Sequence, residues 1–295
     1  MNGRKDMSRS SEQPATPSYA GCRIALLTQH GKERVVAPVL EATLGCHVER
    51  VAGYDTDRLG TFTREIPRFG TQLDAARKKA RIGMELAGVP WGLASEGSFG
   101  PDPFTGMFSW NVEVLLFIDD ARAIEVCGVF QGPGGGEHLC ASDWAAIEAF
   151  AGKSGFPDQH LVLRPNDGND QRFRKGIASW ADLHAAFDWA RDLSSAGQVF
   201  VEHDLRAHAN PQRMGNIRQA AKDLATKLAS SCPVCHAPGF ALVDRLTGLP
   251  CADCGASTRE PRADIWGCVS CSHRETRPRI EPSTADPGRC DYCNP

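Results

Sequence analysis

Four Cys-x-x-Cys pairs fall within the last 64 residues: Cys232/Cys235, Cys251/Cys254, Cys268/Cys271 and Cys290/Cys293. They use eight of the twelve cysteines, enough thiolates for two tetrahedral zinc sites with none left over. Fifteen residues separate the first two pairs and eighteen the last two, both within the spacing of a four-cysteine zinc ribbon. Two residues between thiols let one tight turn aim both sulfurs at the same ion. The gaps favour sequential pairing, with the first four thiols on one ion and the last four on another. Ligand order alone is equally compatible with a cross-braced pairing. All-cysteine sites leave no position open to substrate, so two structural zinc ions are expected. So short a module buries little apolar area, and the metal would supply its folding energy, on the order of 10–16 kcal/mol per small finger.

The remaining composition is that of a soluble globular chain, 41% hydrophobic and 23% charged. A formal net charge of -3 gives no reason to expect a polyanionic partner for the whole chain. No apolar run approaches the roughly 20 residues that span a bilayer, so no membrane partner is expected. Residues 1–20 are polar and read as a disordered leader without the apolar core of a signal peptide. Thiols in a reducing compartment bind metal rather than form disulfides, so the cytoplasm is expected and a secreted disulfide framework is the weaker reading. Cys22, Cys46, Cys127 and Cys140 read as small buried hydrophobes.

Residues 21–230 alternate short apolar runs with amphipathic stretches, the pattern of an α/β domain with a mixed central sheet and flanking helices. Strands are expected at 23–28, 47–51, 91–95 and 160–164, and over 198–206. A hairpin is expected from 113–118 and 123–130. Helices are expected over 32–44, kinked or split by Pro38, and over 73–87, 142–152 and 179–193. A further helix is capped by Asn210, with Pro211 in its first position. Residues 131–137 hold four glycines and read as a mobile lid or linker; they lack the Gly-Lys-Ser/Thr ending of a P-loop. Residues 231–295 form the double zinc ribbon.

The chemistry-bearing stretch is 61–101. Glu96 is expected at the carboxyl end of a strand, where open α/β sheets gather ligands. Gly97 beside Ser98 permits close backbone approach. An acid there, a second on the neighbouring helix (Asp74) and a nearby lysine (Lys79) would hold a divalent cation against phosphate oxygens. Taken singly, these motifs are ordinary: Arg77–Arg81 reads as a solvated helix face and Glu96-Gly97-Ser98 as a turn. Their order carries more weight. Thr28-Gln29-His30-Gly31-Lys32 is followed by Asp74-Ala75-Ala76-Arg77-Lys78-Lys79-Ala80, then Gly88-Val89-Pro90, then Ser95-Glu96-Gly97-Ser98.

That succession resembles the inosine-triphosphate pyrophosphatase-like superfamily, which removes pyrophosphate from aberrant nucleoside triphosphates. The resemblance implies catalytic roles for Asp74 and Glu96, as magnesium ligands or organisers of the attacking water, and for Lys79 as a phosphate contact. It implies Thr28, His30, Lys32 and Ser98 on the substrate side, Lys32 on phosphate. Two departures stand out: Gln29 or His30 replaces the family's Asn in a shortened loop, and Ser95 replaces its first loop acid. The whole chain also resembles an uncharacterised bacterial family ending, like this one, in Cys-Asp-Tyr-Cys-Asn-Pro.

A second polar cluster, Glu202–Arg213, offers Arg206 and Arg213 for bidentate capture of a phosphate or carboxylate. An Asp–Arg pair bracing a strand end is the competing reading. In the tail, Arg259, Arg262, Arg274, Arg277 and Arg279, with Trp266 and Tyr292, give a basic side suited to nucleic-acid contact; ribbons serve equally for protein docking. The expectation is a magnesium-dependent nucleoside-triphosphate pyrophosphatase-like hydrolase acting on a nucleotide-like phosphorylated small molecule. The alternative is a non-enzymatic module that binds a nucleotide or nucleic acid.

Overall fold

The computed structural model describes residues 18–56 and 70–295; residues 1–17 of the expected leader lie outside the described residues. Strand β1 (Arg23–Leu27) is buried at four of its five positions, as a strand covered on both faces must be. Helix α1 (Glu33–Leu44) follows and ends on Gly45, whose φ of 66° supplies the left-handed cap. Pro38 lies inside this helix without splitting it. The carbonyl it leaves unbonded belongs to Arg34, and both residues face solvent, where water can satisfy the oxygen. Strand β2 (His47–Val51) pairs in parallel with β1.

Helix α2 (Gln72–Ala87) starts at a capping box in which the Thr71 hydroxyl accepts from the Asp74 N–H and the Asp74 carboxylate accepts from the Thr71 N–H. Strand β3 (Trp91–Pro101) is parallel to β1, then continues as one arm of a long antiparallel pair with β4 (Ser109–Asp119). Strand β5 (Ile124–Pro133) completes the sheet in the order β2-β1-β3-β4-β5. The expected strand at 91–95 is therefore only the first half of β3. Its second half is held by pairing with β4, which no local pattern in 96–101 announces.

Residues 134–210 build a second, four-stranded sheet before the chain returns. Strands β6 (His138–Ala141), β7 (Leu161–Pro165), β8 (Arg174–Ile177) and β9 (Val199–His203) lie in the order β6-β9-β7-β8, all antiparallel. Helices α3 (Trp144–Ser154) and α4 (Trp180–Leu193) cover one face, burying Ile147, Leu183 and Phe187 against Leu161, Leu163, Val199 and Val201. The segment 21–230 thus holds two sheets with separate cores. β6 and β8 have only four residues each, too few for a periodic signal. Cys46 is buried as expected, but Cys140 is exposed on β6, its thiol donating to the Asn166 carbonyl at 3.4 Å.

Helix α5 (Pro211–Ala229), capped by Asn210 with Pro211 at its start, carries the chain back onto the first sheet. With α1 it buries Ile217, Ala221 and Leu224 against Leu26, Leu93, Leu115 and Phe117, while α2 covers the opposite face through Ala76, Ala80 and Met84. The first unit is consequently a mixed sheet between helical layers, with the second sheet inserted before its last helix. Helix α5 comes close to the sheet at Gly128 on β5. A Cβ there would overlap the Ala220 carbonyl oxygen and stand 2.7 Å from the Leu224 nitrogen. Because those are backbone atoms of a packed helix, Gly128→Ala is expected to destabilise the fold by about 1–3 kcal/mol, read as a lowered urea midpoint with unchanged slope.

The last unit is a three-stranded antiparallel sheet, β10 (Ala241–Thr247), β11 (Pro261–Gly267) and β12 (Arg274–Pro278), carrying the cysteine pairs at its ends. It butts against the first unit where the Gly239 N–H donates to the Lys227 and Ser230 carbonyls at the end of α5. Among the described residues no helix is long and apolar enough to cross a membrane.

Candidate functional site

The thiols gather as two groups of four: Cys232, Cys235, Cys268 and Cys271 in one, Cys251, Cys254, Cys290 and Cys293 in the other. The pairing is cross-braced, and the sequential assignment favoured by the gaps is corrected. Its cause is strand register. Ala241 pairs with Gly267 and Thr247 with Pro261, so β10 carries the chain from the first knuckle to the second and β11 brings it back. Cys268 therefore lands beside Cys232, and β12 returns the chain to the far end for Cys290.

The donor sets fit zinc. Tetrahedral ligands at a Zn–S distance of about 2.3 Å stand about 3.8 Å apart. The Sγ separations are 3.8 Å for Cys232–Cys271, 3.5 Å for Cys235–Cys268, 3.8 Å for Cys251–Cys293 and 3.7 Å for Cys254–Cys290. None is near the roughly 2.05 Å of a disulfide. The knuckles repeat one backbone turn, with N–H groups of His236, Gly255 and Asn294 donating to the carbonyls of Cys232, Cys251 and Cys290. Backbone N–H groups of Cys254 and Asp253 pull the Cys251 thiol down to about 7, while the hydrogen bond with Cys254 pushes Cys293 of the same group up to about 12. The two clusters of four suit two structural zinc ions. Zinc content measured on cysteine pairs tests the bracing: Cys232→Ser with Cys268→Ser should leave one zinc per chain, and Cys232→Ser with Cys251→Ser none. Sequential pairing would reverse those two results.

Of the charged residues singled out in the large domain, Lys32, Lys79 and Glu96 meet at the carboxyl edge of the parallel strands. β1 makes its last pair with β3 at Leu26 and Leu93, so Ser95 and Glu96 lie just past that edge, on opposite faces of β3. From the turn after β1, where Gly31 takes a φ of 68°, Lys32 sends its ammonium group across the sheet end. It donates to the Ser95 carbonyl at 2.7 Å and to the Ser95 hydroxyl at 3.3 Å. On the other face, Lys79 of α2 forms an ion pair with Glu96. Gln72, one face-repeat before Lys79, donates to the carbonyls of Glu96 and Val112 and accepts from the Ser98 hydroxyl. Both lysines and Glu96 are largely buried, with Lys32 and Glu96 each 7% exposed.

Behind Ser95 lies a second, wholly buried layer. Arg213 of α5, 1% exposed, donates from Nε to the Glu113 carboxylate at 2.7 Å and from Nη1 to the Leu205 carbonyl at 2.6 Å. Asn111 donates to the same Glu113 oxygen at 3.0 Å and accepts from Asn216 of α5 at 2.9 Å. Gly97 makes room for this layer, since a Cβ there would stand 2.5 Å from Arg213 Nη2 and closer still to Glu113. Gln72, Ser95, Asn111, Glu113 and Asn216 were not among the sequence candidates. Glu113 did leave a trace: an acid in the same register as the buried Leu115 and Phe117 that follow it.

Other expectations are redirected. Asp74 does not join Glu96: its carboxylate accepts from Thr71 and from Arg77 Nη1 at 3.2 Å, exposed at the start of α2. Five residues rotate a helix through about 140°, which turns Asp74 away from the face that carries Lys79. The Thr71 donors hold its carboxyl below the usual range. Thr28 is buried and its hydroxyl accepts from the His30 N–H, while the His30 ring stacks on His208 with centroids 5.1 Å apart. Arg206 grips Asp204, which also accepts from the Gly176 N–H; this is the strand-end brace, made after β9 has ended. Arg213 is committed to Glu113. Neither arginine presents an open fork to an anion.

Burial brings Lys32 down to about 7, with Arg213 acting in the same direction and Glu96 and Glu113 opposing. The folded value lies below the ordinary 10.5. Between them the unfolded chain holds a proton that the folded chain has released, so stability rises with pH across that window. Urea titrations at roughly pH 7 and pH 9 should show the wild type gaining up to about 2 kcal/mol on Lys32→Met. A constant difference would mean that Lys32 titrates normally.

Residues 79–295 match a family model described as "Domain of unknown function (DUF6671)". No curated protein and no solved structure matches the chain.

Proposed function

The chain belongs to the DUF6671 family, and from the charge balance at its sheet edge we propose that it binds a phosphorylated small molecule of nucleotide type, without magnesium-dependent hydrolysis. The observation that carries this reading is the convergence of Lys32, Lys79 and Arg213 on only two carboxylates, Glu96 and Glu113. Each acid is already paired with a cation, so Lys32 when protonated is the surplus positive charge, and a phosphate beside it would favour that form. Its ammonium has three donors, of which Ser95 takes two; the third is available to a phosphate oxygen. The position at the carboxyl end of the parallel strands supports the same reading. A magnesium site needs carboxylates facing a shared ion, and with Asp74 engaged at the helix cap the edge offers only acids neutralised by their own partners.

The zinc module serves in this reading as a folding staple and protein-docking arm. Nucleic-acid contact is not favoured by its charge. Residues 231–295 carry seven arginines and no lysine against eight Asp and Glu, and each Zn(Cys)4 centre would add two negative charges. Arg245, Arg259, Arg277, Arg279 and Arg289 are in ion pairs with carboxylates of the same module.

Calorimetry with a nucleoside-triphosphate panel, with and without magnesium, tests the proposal. Binding should be seen, weakened in Lys32→Met by roughly tenfold to a hundredfold, as expected for one lost charge-assisted hydrogen bond. No binding by the wild type would sink it. Magnesium-dependent pyrophosphate release that disappears in Glu96→Gln would replace it with the hydrolase.

A further inference from the structure

A cleft of about 890 Å³ runs between the first sheet and the inserted one. One wall is the projecting end of β3 and β4, with Phe99, Met107 and Phe108; the other carries Leu139, Phe150 and Phe200. The glycine-rich loop, read from sequence as a lid or linker, forms the seam between them. It is tied down rather than loose: the His203 ring bonds the Gly135 carbonyl, and the His203 N–H donates to the Glu137 carbonyl at 3.1 Å. Its glycines are demanded by space, because a Cβ at Gly134 or Gly136 would stand 2.7 Å from the Ser109 hydroxyl.

We propose that this cleft binds a planar organic cation, stacked on its aromatic walls and neutralised by Glu137 and Glu202. Among the described residues that line it there is no Lys or Arg; the ionisable side chains are Glu137, Glu202 and His138. Arg164 bonds one oxygen of Glu202 at 3.0 Å, so Glu137 carries the greater share of the unbalanced charge. Carboxylates beside aromatic rings disfavour a phosphate and attract a cation, whose charge the ring faces also stabilise.

The walls are preorganised for a flat ligand. The Asp102 carboxylate accepts from the backbone N–H groups of Phe104, Thr105, Met107 and Phe108 at 2.7–3.0 Å, fixing the hairpin tip. This rigid tip leaves Phe108 66% and Met107 78% exposed at the cleft mouth, a cost in water that a bound ring would remove. Opposite, the Gly168 backbone comes so near Phe200 that a Cβ would stand 3.0 Å from the ring, which keeps that wall flat. The cleft borders the layer behind the Lys32 edge through Leu205, whose carbonyl accepts from Arg213, and Phe99, whose ring lies 5.7 Å from the Arg213 guanidinium, but its ligand is of opposite charge.

The test is calorimetry on the full, zinc-loaded chain at about pH 8, with N-methylquinolinium against quinoline, its near-isostere that is neutral at that pH. The cation should bind saturably and at least roughly tenfold more tightly than quinoline. Phe108→Ala and Glu137→Gln, both at exposed positions, should each weaken it by roughly fivefold to tenfold with unchanged melting temperature. Lys32→Met and added tripolyphosphate should leave it unaltered, which separates this site from the phosphate edge. Equal affinity for quinoline, indifference to both substitutions, or no saturable binding of the cation would each overturn the proposal.

Discussion

The buried Arg213–Glu113 pair is the interaction on which the rest of the large domain turns. Its partners are 100 residues apart, on β4 and on the first turn of α5, with the whole inserted sheet between them. Two charges removed from water cost several kcal/mol each unless their remaining hydrogen-bonding capacity is met. Asn111 and the Leu205 carbonyl meet part of it here. The pair therefore admits one placement of α5, and α5 in turn closes the apolar face of the first sheet. Losing one partner would strand the other charge in a dry layer. The site at the sheet edge inherits its geometry from this lock, because Gly97, Ser98 and Phe99 all touch the same layer.

Around it, charge is arranged by compensation. Glu96 answers Lys79, Glu113 answers Arg213, and Asp204 answers Arg206. Such pairing explains why several residues that look reactive in the sequence are structural in the fold. It also isolates Lys32, whose ammonium is held by a carbonyl and a hydroxyl instead of a carboxylate. The cleft between the sheets has the inverse composition, aromatic and acidic. The buried Arg213–Glu113 layer lies between these two chemically opposite regions.

The zinc module follows a different economy of structure. Its three strands expose most of their side chains, with only Ala241, Ala263 and Gly267 buried along them. Metal binding supplies what apolar burial does not. Cross-bracing puts one centre at each end of the sheet: the first joins the segments before β10 and after β11, the second joins the β10–β11 connection to the segment after β12.

The cysteine spacing by itself determined that the chain ends in two four-thiolate centres, because a Cys-x-x-Cys turn is a local geometry. Other local signals were equally readable: the Asn210–Pro211 start of α5, the Gly45 and Gly88 helix ends, the buried run of β1. What only the tertiary structure decided was which thiols share an ion, where β3 ends, that a second sheet interrupts the first, and that Asp74 faces away from Glu96. The first three depend on pairing between segments far apart in the chain, and residue types carry no register. Asp74 shows the difference within a single helix. Its type and position suited a metal ligand, but rotation about the helix axis and the nearer hydroxyl of Thr71 made it a cap.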